Sequence, residues 1–170
     1  MKKDNRPYYT KLHRTLEILA WAMCIASIVI GIIGIVTIDG EIPTHFDIHG
    51  NADSYGSPKS LLTVPLTLII IGMGTITFVG HHMDPSTWNL PFKLNPERKQ
   101  LVYRDLLSMI FFMEVIIAAT CLYLTLVMYT GASGSMMFFT ILGIAAVTVD
   151  IVYFCLRVKK DNNADGVAEL

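Results

Sequence analysis

The chain has 170 residues, of which 53% are hydrophobic and 16% are charged, and its formal net charge is −1. Ordinary soluble domains carry about 25% charged residues, and here the apolar residues form four long blocks between short polar stretches. Since bilayer hydrocarbon about 30 Å thick needs roughly 20 apolar residues per helix, the pattern excludes a typical soluble domain and predicts a membrane protein. The net charge indicates no particular partner, and no nucleic-acid partner is expected.

The four blocks predict four transmembrane helices. The first is too long for the core of a cleaved signal peptide, which spans roughly 7–15 residues, and no small-residue cleavage site follows it. The expected fold class is therefore all-α, an integral membrane four-helix bundle with a short extracytoplasmic cap loop. In chain order, a single membrane domain (1–160) holds spans at about 18–38, 61–80, 106–129 and 136–156, a cap loop at 39–60, a cytoplasmic loop at 81–105 and a tight turn at 130–135, and a disordered cytoplasmic tail follows at 161–170.

The distribution of Lys and Arg predicts the orientation, because cytoplasmic segments are enriched in both. If all four blocks span, twelve of the thirteen basic residues fall on one side and only Lys59 falls on the other. Both termini are therefore expected in the cytoplasm, in a multi-pass protein of the cell membrane. The twelve are Lys2, Lys3, Arg6, Lys11, Arg14, Lys93, Arg98, Lys99, Arg104, Arg157, Lys159 and Lys160.

The cap loop holds a cluster of polar side chains, and the sequence leaves alternative roles open for them. His45, Asp47 and His49 alternate along a segment expected to be extended, so all three side chains could point one way and, with Asp53, supply ligands suited to zinc or another transition metal. Alternatively, His45 bonds the loop backbone and Asp47 caps a turn. Lys59 either pairs with Asp53 or receives an anionic group of a ligand. Ser57 and Pro58 are expected to begin the second helix.

Two carboxyl groups fall inside predicted spans. Glu114 lies near the middle of the third span and Asp150 lies nearer the cytoplasmic end of the fourth. Intramembrane carboxyls face the bundle interior and are either neutral or paired, and Thr77, Ser27 and Tyr153 are the expected hydrogen-bond partners. Each acid is either a functional group, such as a proton relay, an ion site or a counter-charge for a ligand, or a neutral group that joins helices.

The cap loop also carries a run that resembles a known family. The run Ile42-Pro43-Thr44-His45-Phe46-Asp47, then Gly50-Asn51-x-Asp53, then Tyr55-Gly56-Ser57 and Lys59, resembles the signature of domain-of-unknown-function family 1648, found in bacterial and archaeal membranes. The same domain forms the N-terminal part of immunity proteins that protect cells from the sporulation-delaying-protein toxin, so the resemblance implies a role in toxin protection and signalling. His49 and Pro58 depart from the pattern. The resemblance implies these recognition or cap residues: His45, Phe46, Asp47, Gly50, Asp53, Gly56 and Lys59.

These observations predict a non-enzymatic membrane protein that recognises an extracytoplasmic peptide or small ligand through residues 42–59. No phosphate-binding loop, zinc-protease helix motif or serine-hydrolase elbow occurs in the sequence. Two alternatives stay open. The first is a small transporter or ion-coupled subunit that uses Glu114 and needs a homo-oligomer or partner to form a pathway. The second is a metal-dependent enzyme built on His45, Asp47 and His49. No cofactor other than such a metal is expected.

Overall fold

The computed structural model describes residues 8–132 and 136–163, and it confirms an all-α membrane protein with four helices long and apolar enough to cross a bilayer. The chain is therefore a multi-pass transmembrane protein. Lys2, Lys3, Arg6, turn residues 133–135 and tail residues 164–170 lie outside the described residues. The elements are α1 (Lys11–Thr37), β1 (Ile42–Phe46), β2 (Ala52–Gly56), α2 (Pro58–His82), α3 (Lys99–Thr130) and α4 (Met136–Asn162).

Two of the helices begin about seven residues earlier than predicted. Thr10 caps α1 at Lys11 through a reciprocal pair of bonds, in which the His13 N–H donates to Thr10 Oγ1 and the Thr10 N–H donates to His13 Nδ1. Likewise, α3 begins at Lys99 rather than near residue 106. The polar first turn of α1 packs against α3, because His13 Nε2 lies 2.8 Å from Ser108 Oγ.

Helix α2 changes geometry along its length. The Ser57 hydroxyl accepts the Lys59 N–H and Pro58 occupies the first turn, at the predicted start of the helix. A 3₁₀ turn and one α turn lead into a π-helical segment at Leu68–Met73. Because a π turn holds more residues than an α turn, this segment rotates the rest of α2 about its axis. The remainder, Gly74–His82, is α-helical and carries Thr77 and His81.

Helix α3 lies at the centre and packs against α1, α2 and α4. Two glycines in α1 allow the beginning of α2 to approach closely. A Cβ atom at Gly34 would overlap Leu61 Cδ1 and lie 3.1 Å from Tyr129 Cδ2, and one at Gly31 would lie 2.7 Å from Leu62 Cδ2. Such small residues are typical of helix contacts in membranes, where lipid supplies no hydrophobic force between helices.

Helix α4 packs mainly on α3 and ends at Asn162, so Asp161 and Asn162 belong to a helix rather than to the predicted disordered tail. The Asn162 side chain is buried and clamps the connection between α2 and α3. Its amide donates to the Lys93 carbonyl (3.0 Å) and its oxygen accepts the Asn95 N–H (2.8 Å). These bonds to backbone groups far away in the sequence hold the end of α4 in place. The polar composition of the last residues does not indicate such an ordered helix end.

The bundle has two ends. The hairpin face is the end that carries β1 and β2, and the termini face is the end where α1 begins and α4 ends. At the hairpin face, Ile42 of β1 packs with Leu61 and Met128 in a small apolar cluster. This cluster attaches the hairpin to the helices, so the polar loop predicted as a cap is a folded element of the structure.

Candidate functional site

The predicted cap loop is an antiparallel β-hairpin whose register shifts by a bulge. Ile42 pairs with Gly56 and Pro43 with Tyr55, while His45 pairs with Ser54 and Phe46 with Ala52. The second strand was not predicted, because residues 52–56 lack an apolar alternation. Bulges of this kind re-aim side chains and are common beside functional sites.

Asp47 builds the turn of the hairpin. Its Oδ1 accepts the backbone N–H groups of His49 and Asn51, each at 2.8 Å, and its Oδ2 accepts from the Asn51 side-chain amide at 3.3 Å. These bonds, led by that from the Asn51 backbone, lower the pKa of the Asp47 carboxyl. Gly50 completes the turn with a φ of 82°, a conformation that residues with a side chain rarely adopt. Asp47 and Gly50 therefore serve the turn geometry.

His45 and Asp53 form the polar contact between the two strands. His45 Nδ1 lies 2.6 Å from Asp53 Oδ1, and both side chains are exposed. Among the described residues, Asp53 therefore does not form the expected ion pair with Lys59. Lys59 is exposed at the start of α2.

The remaining signature residues position the hairpin. Phe46 is partly buried against the cluster of Ile42, Leu61 and Met128. Gly56 allows a close approach, because a Cβ there would lie 3.0 Å from Thr44 Cγ2.

The alternating polar residues do not converge on one point. Asp47 bonds its own turn and His45 bonds Asp53, while His49 is joined to Asp47 through its backbone N–H. Within residues 8–132 and 136–163, no group of three His, Cys, Asp or Glu side chains is arranged to hold a metal ion. The bulge between Pro43 and Phe46 breaks the simple alternation on which the metal hypothesis depends.

Glu114 is fully buried at the junction of α1, α2 and α3. The Thr77 hydroxyl, one of the partners expected from the sequence, donates to Glu114 Oε1 at 2.7 Å and accepts from Trp21 Nε1 at 3.3 Å. Glu114 Oε2 has no hydrogen-bond partner among the described residues. A buried acceptor without a partner carries a desolvation cost of about 1–3 kcal/mol. An unpaired buried atom of this kind calls for an explanation, and a binding or proton-transfer role is one.

A second polar group lies one helical turn nearer the termini face. His81 Nε2 of α2 lies 2.7 Å from Glu17 Oε1 of α1, and the Tyr9 hydroxyl donates to Glu17 Oε2 at 3.2 Å. Glu17 was not singled out from the sequence, since it precedes the predicted first span. Its spacing of four residues before Trp21 is the signal that could have found it, because positions i and i+4 share one face of a helix.

Asp150 lies on the opposite side of the central helix, in a groove between α3 and α4. Its side chain is only 8% exposed and its Oδ2 has no partner among the described residues. Toward the termini face, Asp105 is 1% exposed. Its carboxylate accepts hydrogen bonds from Arg157 Nε at 3.1 Å and from Arg104 Nη2 at 3.3 Å. No pattern in the sequence indicates this ion-pair cluster, because Asp105 and Arg157 lie 52 residues apart.

Comparison with known proteins agrees with the location of the signature. Residues 22–69 match the family model described as Domain of unknown function (DUF1648). No curated protein and no solved structure matches the chain. The matched segment covers most of α1, the whole hairpin and the first part of α2, so it includes every signature residue named above. The fold and this match define a multi-pass membrane protein with a domain of unknown function.

Proposed function

We propose that this chain is a non-enzymatic membrane protein that recognises an extracytoplasmic ligand through its hairpin. The observation that carries the proposal is that Asp47 and His45 are engaged within the hairpin, while two large side chains with apolar surface are exposed. Asp47 orders the turn and His45 meets Asp53, yet Ile48 is 74% exposed and Tyr55 is 56% exposed. A surface that is ordered before binding loses less conformational entropy when a ligand arrives.

A peptide is the ligand class that this surface fits best. Tyrosine is among the residues that contribute most at protein interfaces, and an exposed aliphatic side chain beside it adds apolar area to the contact. The resemblance to immunity proteins supports the same class, since those proteins protect cells from the sporulation-delaying-protein toxin. Lys59, exposed beside the hairpin, supplies a positive charge for an acidic group of the peptide.

The test uses full-length protein in lipid nanodiscs and a phage-displayed peptide library as the probe. We expect peptides selected on the wild-type protein to lose roughly tenfold or more in affinity on the double variant Ile48→Ser, Tyr55→Ala. Met83→Ser is the matched control, because Met83 is also an exposed apolar residue but lies at the termini face. Equal binding of the selected peptides to wild type and the double variant would contradict the proposal.

A second candidate function is proton or ion coupling through Glu114. It is supported by the unpartnered Oε2 atom of this fully buried carboxyl and by the polar pair of Glu17 and His81 one turn away. Buried acids of this kind line proton and ion pathways in membrane proteins. Four helices enclose too little space for a pathway, so this function requires a homo-oligomer or a partner subunit.

The test for coupling is collapse of a pH gradient in proteoliposomes, followed with an enclosed pH-sensitive dye. We expect Glu114→Gln to abolish proton flux, whereas Asp161→Asn, a carboxyl outside the interior cluster, leaves flux unchanged. Flux that survives in a correctly folded Glu114→Gln protein would make the carboxyl a structural group, and the hairpin proposal would be unaffected.

A further inference from the structure

The seam between α3 and α4 contains a groove that the proposed recognition function does not use. Its volume is ≈ 670 Å³, within the roughly 300–1,000 Å³ that is typical of ligand pockets. Most of its wall is apolar and includes Phe112, Val149 and Phe154, while the first turn of α1 closes one side through Leu12. The groove is open on its outer side and lies mainly in the half of the bundle nearer the termini face.

Asp150 supplies a polar point inside this apolar cavity. The side chain is more than nine-tenths buried, it lines the groove, and its Oδ2 has no hydrogen-bond partner among the described residues. Burying a carboxyl without a partner is costly in any apolar medium. A donor delivered by a ligand would remove that cost, so the groove is chemically incomplete without one.

The charged side chains at the mouth of the groove indicate which charge the head group of a ligand should carry. Arg104 and Arg157 both reach Asp105, and Asp161 Oδ2 lies 3.9 Å from Arg157 Nε. Both guanidinium groups are therefore engaged with Asp105, and Asp150 has no ion-pair partner among the described residues. A cationic donor complements this unpaired carboxyl, whereas an anionic head group would be repelled by it.

The same seam continues toward the hairpin face as a smaller cavity of ≈ 250 Å³. Ala146 lines both cavities, and the second is almost wholly apolar, ending at Tyr123 and Phe139. At about 1.5 Å per residue, Asp150 and Phe139 are roughly 16 Å apart along α4. The carboxyl of Asp150 lies at one end of the seam and an apolar groove extends from it. This arrangement fits an amphiphile that has a polar head group and a single alkyl chain.

We propose that the α3–α4 groove binds a single-chain amphiphile with a primary ammonium head group. The ammonium donates to Asp150 and supplies the missing counter-charge, and the alkyl chain lies past Ala146 toward Phe139. Arg104 and Arg157 remain with Asp105 and close the groove toward the termini face. The site is independent of the hairpin, since no hairpin residue lines either cavity.

The experiment is native mass spectrometry of the full-length protein released from a nonionic detergent, with dodecylammonium and dodecyltrimethylammonium as probes. The two probes share chain and charge, but the trimethylated head has no N–H to donate. We expect one bound dodecylammonium per chain, with roughly tenfold or greater preference over the trimethylated probe, because a hydrogen bond to a charged group contributes about 1.5–3 kcal/mol.

Three variants locate the site. Asp150→Asn should lose the preference for dodecylammonium over the trimethylated probe. Ala146→Leu keeps the acid but fills the junction of the two cavities, so it should weaken the binding of both probes about tenfold. Thr148→Val is the matched control, because Thr148 lies near Asp150 on α4 but does not line the groove; it should bind as wild type does. Circular dichroism confirms that each variant is folded.

Equal binding of the two probes to the wild-type protein would overturn the proposal. So would an unchanged preference in folded Asp150→Asn. If Asp150→Asn does not fold, Ala146→Leu decides: binding equal to wild type would show that the chain does not occupy the seam and would overturn the proposal as well.

Discussion

The hairpin and the helix bundle satisfy their polar groups in opposite ways. In the hairpin, the partners are close in sequence and exposed, as with Asp47 and Asn51 four residues apart. In the bundle, the partners are buried and come from different helices, as with Thr77 and Glu114 or Asp105 and Arg157. The difference shows that local bonds define the shape of the hairpin, whereas the polar groups of the bundle join helices. Substitutions in the two regions should therefore affect different measurements.

The largest effect is expected from Asp105→Ala. Removing one partner of a fully buried ion pair costs about 3–5 kcal/mol, but Arg104 and Arg157 are partly exposed and can be solvated, so we expect about 2–3 kcal/mol in the free energy of unfolding. Reversible unfolding in mixed micelles measures it, with Glu97→Ala, an exposed acid on the connection between α2 and α3, as the control. A loss no larger than that of the control would show that this cluster does not join α3 and α4.

A smaller effect is expected from Gly34→Ala, at the contact of α1 with α2. The added Cβ would overlap Leu61 Cδ1, and overpacking of this kind costs roughly 1–3 kcal/mol. Gly72→Ala is the comparison, since a Cβ there meets Ile117 Cγ2 at an ordinary 3.4 Å. The same unfolding assay applies, and equal stability of the two variants would mean that α1 and α2 separate without cost.

The smallest effect on global stability is expected in the hairpin, where pH should change local order alone. The pKa of Asp47 is lowered in the folded hairpin by hydrogen bonds from the turn. Its contribution to order is therefore complete above the ordinary pKa of an aspartate and is lost as pH falls through the lowered folded pKa. The protection of the His49 and Asn51 amides against hydrogen exchange, taken relative to the intrinsic exchange rate at each pH, should therefore fall across that acidic range.

Asp47→Asn is the control for this pH dependence, because its side chain does not titrate. The protection of the His49 and Asn51 amides in that variant, relative to the intrinsic exchange rate, should not change across the acidic range. If wild type and variant respond to pH identically, the turn does not depend on the carboxylate, and the contrast between the hairpin and the bundle is weaker than proposed.

Patterns within short stretches of the chain predicted much of this architecture. The four spans follow from the length of the apolar blocks, and the start of α2 follows from Ser57 and Pro58. Thr77 was among the partners expected for Glu114 because few polar side chains lie deep in the spans. An extended segment at the start of the cap loop was also expected, but the hairpin was not, since pairing with β1 and not composition makes residues 52–56 a strand.

The sequence by itself determined which segments enter the bilayer and which loop carries the family signature, because hydrocarbon thickness and turn chemistry act over neighbouring residues. Only the tertiary structure decided that Asp53 meets His45, that Glu17 meets His81 and that Asn162 holds the backbone at Lys93. It also placed Asp150 in a groove. These contacts depend on the bulge in the hairpin, the π-helical rotation of α2 and the packing of α4 on α3. Such features arise when separate segments pack together, so no single stretch of sequence displays them.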